Sequence, residues 1–92
     1  MPYCVVAYDI PDDRRRLRLS RVLWGMLDRV QKSVFEGELE EHQVDRLEER
    51  IRRVVEARED AIRIYPLCPA CRRRIRRIGP SPLRADPNVW VI

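Results

Sequence analysis

The chain has 92 residues, enough for one domain with a modest core. Its 45% hydrophobic content excludes a disordered tail, and no apolar run approaches the ~20 residues of a membrane span. Charged residues make up 37% with a net charge of +4, so a face or a cleft, not the whole surface, can be strongly basic.

Tyr3 to Ile10 (YCVVAYDI) is rich in aromatic and β-branched residues and reads as a mostly buried strand ending near Asp9. Pro11 turns the chain, and Asp12 or Asp13 is placed to cap a helix expected from about Arg14 to Asp28. Leu19, Val22, Leu23, Met26, Leu27 and Val30 recur at helical spacing as its core stripe. Arg14, Arg18 and Arg21 fall on the opposite face, with Arg15 and Arg16 flanking the stripe near Asp9. Cations at a helix N-terminus oppose the macrodipole, which points to a visiting anion.

Val30 to Leu39 (VQKSVFEGEL) reads as one long strand or two short ones, with Gly37 marking a bulge or a close backbone approach. A second helix follows from about Glu40 to Arg58, with Val44, Leu47, Ile51, Val54 and Val55 as its apolar stripe. Its ends are acidic then basic, as a structural helix prefers. Asp60 to Leu67 reads as a strand. A possible short strand around Ile75 to Ile78, a proline-rich connector and the apolar end Val89 to Ile92 complete the chain. Such a terminal segment needs a sheet edge, its own or a partner's. The order predicts an α+β fold, a ferredoxin-like βαββαβ sandwich over 1–78, with 79–92 as connector and additional C-terminal strand in a homodimer.

Three groups of residues could carry chemistry. Asp9 is a carboxylate at a strand end, where it either caps or pairs with Arg15 or Arg16, or holds Mg²⁺, for which two copies in a two-fold dimer would converge. The arginines form clusters at Arg14, Arg15, Arg16 and Arg18 and at Arg72, Arg73, Arg74, Arg76 and Arg77. Lys32 is the only lysine, and the planar fork of arginine suits phosphate. With few interleaved aromatics, a duplex backbone is the natural partner, although a solvated, salt-bridged face is the competing reading. Cys68-Pro69-Ala70-Cys71 is a single C-x-x-C that could be plain thiols, a local disulfide or a zinc half-site, and it lacks the strand-then-helix setting expected of a redox motif. His42 is the only histidine, so acid–base chemistry falls to metal-bound water, Tyr8 or Asp9. The absence of a signal peptide leads us to expect a cytoplasmic protein with reduced thiols.

YDI followed by acids, an Arg-rich first helix, RVQKSVFEG and RIYPL together resemble the CRISPR-associated protein two family over roughly Met1 to Leu67, with QKSVFEG the most specific part. The resemblance implies a ferredoxin-like dimer with an exchanged C-terminal strand, acting in spacer acquisition as a duplex-DNA-binding scaffold for the CRISPR integrase. It also implies a Mg-dependent endoribonuclease or endonuclease activity on RNA or DNA. A stand-alone, toxin-like metal-dependent ribonuclease of the same fold is the alternative. The family's metal residue maps onto Asp9, and further functional positions map onto Tyr8, Arg16, Arg18, Arg29, Ser33 and Phe35, although Phe35 could equally be core.

Overall fold

Side chains alternate across β1 (Tyr3–Asp9), and Cys4, Val6 and Tyr8 are buried on one face. The computed structural model describes residues 2–79. Around β1 the elements follow as α1 (Asp13–Trp24), β2 (Asp28–Gln31), β3 (Val34–Glu38), α2 (Glu41–Val54), β4 (Ala61–Leu67) and α3 (Pro69–Arg73). The sheet is antiparallel in the order β2-β3-β1-β4, so β1 is central. With α1 and α2 packed on one face, this is the ferredoxin-like sandwich expected from the sequence. Val6 pairs with Phe35 on β3 and Ile64 on β4, which sets the core face. Phe35, Leu19, Leu23, Leu47, Val6 and Cys4 fill that core, each large apolar side chain stabilising by about 1.5–3 kcal/mol.

The first helix is shorter than expected. Asp12 caps it, accepting from the Arg15 N–H at 2.9 Å, but it ends at Trp24 because Leu23 O accepts from both Met26 and Leu27 N–H. Leu27 belongs to the core stripe although it is not helical: it leaves the helix and is buried against Gly37. A Cβ at Gly37 would come within 3.1 Å of Leu27 Cδ2, so this glycine marks a close approach, while the irregularity in register lies at Arg29/Gln31.

Val30 to Leu39 is two strands joined by a turn at Lys32 and Ser33. The second helix also stops early, at Val54. Val55 turns extended, and the Asp60 carboxylate captures the Glu56 N–H at 2.8 Å. The short strand expected at Ile75 to Ile78 is absent. Pro69 at the first helical turn starts α3 instead, and the segment after it is exposed, with Ile78 fully so. A strand thus leads straight into a helix at Cys68, the setting that the sequence alone had not revealed. The proposed C-terminal strand, Val89 to Ile92, lies outside the described residues.

Candidate functional site at the end of the first strand

An open cleft of about 840 Å³ lies where β1 ends, between α1 and the β2–β3 turn. Asp9 and Tyr8 enter it from β1, Arg16 and Arg21 from α1, Arg29 from β2, and Lys32 and Ser33 from the turn. Cations there outnumber the carboxylates Asp9 and Asp13 two to one.

Neither structural role open to Asp9 in the sequence is filled by it. Asp12 caps α1. Arg16 donates to Ile10 O at 2.9 Å and pairs with Asp13. Arg15 is committed elsewhere, through Nε to Asp60 at 2.9 Å and through Nη2 to Glu59 at 2.7 Å. The Asp60 side chain is completely covered in this lock, and the Arg15 guanidinium holds its pKa below the ordinary value. Asp9 is exposed, and among the described residues its side chain makes no hydrogen bond or ion pair. A carboxylate left free beside cations is available to a ligand.

The turn opposite Asp9 is held by side chains. The buried Arg29 donates to Lys32 O at 2.6 Å and to Gln31 O at 3.4 Å. The Tyr8 hydroxyl donates to Lys32 O at 3.5 Å, and Tyr8 N–H donates to Ser33 O at 3.1 Å. Burial pushes the Tyr8 phenol above its ordinary pKa, while Arg29 and Arg16 pull it down, so at neutral pH it is a hydrogen-bond donor. Beneath the cleft, Phe35 stacks on Tyr8, takes the Trp24 edge at 5.9 Å and lies under Arg29. Phe35 is fully buried and cannot touch a ligand in this arrangement.

The structure therefore brings together Tyr8, Asp9, Arg16, Arg29 and Ser33, with Phe35 as their support. Arg14 and Arg18 are exposed on α1 outside the cleft lining. The cluster from Arg72 to Arg77 lies at the far end of β1, where Tyr3 pairs with Leu67. There Arg72 pairs with Glu38 and sits 4.2 Å above the Tyr3 ring, and Arg77 pairs with Glu36 at 3.0 Å. Arg73, Arg74 and Arg76 are exposed. Trp24, Ser20, Lys32, Arg21 and Asp13 line the cleft but had not been singled out for it. Lys32, as the lone lysine within the QKS of the turn, was the available signal.

As a cation site the cleft is sparse. The described residues hold no group of three or more His, Cys, Asp or Glu side chains that could hold a metal. One free carboxylate in an open cleft lined by cations nevertheless fits Mg²⁺, which takes one or two carboxylates and fills its shell with water and phosphate.

The class defined here is a ferredoxin-like chain with a cation-lined cleft at a strand end. A family model described as CRISPR associated protein Cas2 matches residues 1–75. The chain is 39% identical over 88 residues to a Synechocystis protein named CRISPR-associated endoribonuclease Cas2 3, covering 96% of each. Its fold matches a hypothetical protein from Thermus thermophilus at TM-score 0.78 and 42% identity, covering 88% of this chain and 94% of that one. It also matches a chain of a partial Cas6-RT-Cas1–Cas2 complex at TM-score 0.73 and 28% identity, covering 92% and 99%. The chain belongs to the Cas2 family of CRISPR immunity.

Proposed function

We propose that this protein acts in spacer acquisition as a homodimer that carries nucleic acid for a Cas1 integrase, and that its Asp9 cleft cleaves phosphodiesters with Mg²⁺. The observation that carries the reading is the exposed, unpaired Asp9 carboxylate at the mouth of a cleft rich in cations. The relative named an endoribonuclease and the neighbour from a complex containing Cas1 support the two halves of the reading.

Asp9 would hold the metal, which supplies charge neutralisation at a phosphodiester and activation of water for in-line attack. Arg16, Arg21 and Lys32 would bind phosphate oxygens, Arg16 being aimed by its bonds to Ile10 O and Asp13. Arg29 and the Tyr8 hydroxyl would fix the turn that presents Lys32 and Ser33 to the substrate.

A dimer would supply what one chain lacks. Asp9 shares a sheet face with Val5, Ala7, Val34 and the exposed Tyr65, so a second copy meeting that face would bring a second Asp9. Arg14 and Arg18, outside the cleft, would track a duplex backbone.

The test is cleavage of labelled single-stranded RNA and duplex DNA by wild type and Asp9→Ala, with Mg²⁺ and with EDTA, alongside a duplex-binding titration. Loss of cleavage by about 10²-fold or more, the size seen when a preorganised charge-stabilising group is removed, is expected with binding retained. Equal cleavage by both proteins would contradict the assignment of Asp9.

A further inference from the structure

At the end of β4 lies a feature that nucleic-acid chemistry does not use. Cys68 and Cys71 are both exposed free thiols on a strand-to-helix corner. Pro69 and Ala70 separate them, and Pro69 fixes the first turn of α3. The Cys71 N–H donates to Cys68 Sγ at 3.4 Å, so the turn folds the second cysteine onto the first.

The two sulfurs are not equivalent. The hydrogen bond from the Cys71 N–H, then the Cys71 thiol, draws the Cys68 pKa below its ordinary value. The neighbouring Cys68 sulfur pushes Cys71 up. The third cysteine, Cys4, is fully buried, and burial raises its pKa. A thiolate attacks disulfides and a thiol does not, so an exposed thiol whose ionised form is favoured by its neighbours, with a second thiol one turn away, has the layout of a reactive pair.

From this geometry we infer that Cys68 and Cys71 form a redox-active dithiol that exchanges with small-molecule disulfides, with Cys68 as the attacking sulfur and Cys71 as the resolving one. Cys68 thiolate attacks one sulfur of the small disulfide, forming a mixed disulfide and releasing a thiolate. Cys71 gives up its proton and attacks Cys68 Sγ. The Cys68–Cys71 bond forms as the second small thiolate leaves. Two protein thiols are oxidised, one small disulfide is reduced to two thiols, and the two thiol protons end on the released molecules.

The site is at the end of β1 opposite Asp9, so it stands or falls independently of the nuclease reading.

The experiment treats the full-length reduced protein with oxidised glutathione and follows free thiols and intact mass. The wild-type titre should fall by two thiols per chain, with no adduct retained and no link between chains. Cys71→Ser should keep one glutathione on Cys68. Cys68→Ser should react about tenfold more slowly or worse, because the attacking sulfur, the one whose ionised form is favoured, is gone. Both side chains are exposed, and circular dichroism of the variants checks the fold. Asp9→Ala should behave as wild type. An unchanged titre, equal rates for wild type and Cys68→Ser, or a disulfide between chains would overturn the assignment. Tightly held zinc lost on mutating either cysteine would also overturn it, in favour of a metal site.

Discussion

The two ends of β1 carry similar charge and use it in opposite ways. At the Tyr3 end, Arg72 pairs with Glu38 and Arg77 with Glu36, and the Tyr3 hydroxyl donates to Glu36 at 3.0 Å. Burial first, then Glu36, pushes the Tyr3 pKa up to about 12. At the Asp9 end the cations lie around a carboxylate with no partner among the described residues. A run of arginines is therefore weak evidence of a binding face until its acids have been located. The Arg72–Arg77 run is the denser of the two in sequence, yet two of its members are already matched to acids on β3.

The sharpest break of this comparison would come from Phe35. If the Asp9 end is a site resting on core, Phe35→Ala should lose about 3–5 kcal/mol in denaturant unfolding, while Phe35→Leu keeps most of the cleavage rate in the folded protein. Loss of cleavage in a stable Phe35→Leu protein would instead make the ring itself part of the chemistry.

A smaller effect separates the arginine clusters. Arg14→Ala and Arg18→Ala should each lower the salt-dependence slope of duplex binding by about one unit, the value of one phosphate contact. Arg72→Gln with Arg77→Gln should lower it by less than about one unit in total, because their charges already face Glu38 and Glu36. A loss of two units from that pair would erase the contrast between the two ends.

The smallest effect concerns the Arg15 lock beside the cleft. The folded-state pKa of Asp60 is depressed, so its contribution is present above its unfolded value of about 3.9 and is lost as pH falls through the folded one. Asp60→Asn should melt below wild type at pH 7, and the two melting temperatures should converge under acid. A gap that persists in strong acid would mean that the lock acts by packing, not charge.

Much of this was legible in the chain. The strand ending at Asp9, the Asp12 cap and the stripe Val44, Leu47, Ile51 and Val54 follow local rules of period and capping. The β2–β3 turn was not, because Lys32 and Ser33 carry no Gly, Pro or Asn signal; it is held by Arg29 and Tyr8, the latter from another strand. The end of the first helix was masked by Met26 and Leu27, which continue the apolar period while serving the core outside the helix. Of the residues named from the sequence, Asp9, Tyr8, Arg16, Arg29 and Ser33 line one cleft, whereas the diversion of Arg15 depends on Asp60, 45 residues away. No local pattern encodes such a pairing. The start of α3 was readable in hindsight, since Pro69 after Cys68 is a helix-start signal.

The measurement that tests the contrast most directly is Mg²⁺-dependent cleavage of single-stranded RNA by three proteins in parallel: wild type, Asp9→Ala, and Arg72→Gln with Arg77→Gln. If the chemistry resides at the Asp9 end, only Asp9→Ala falls, by about 10²-fold or more, and the double variant cuts like wild type. Cleavage that survives in Asp9→Ala and disappears in the arginine variant would place the chemistry at the Tyr3 end of β1 instead.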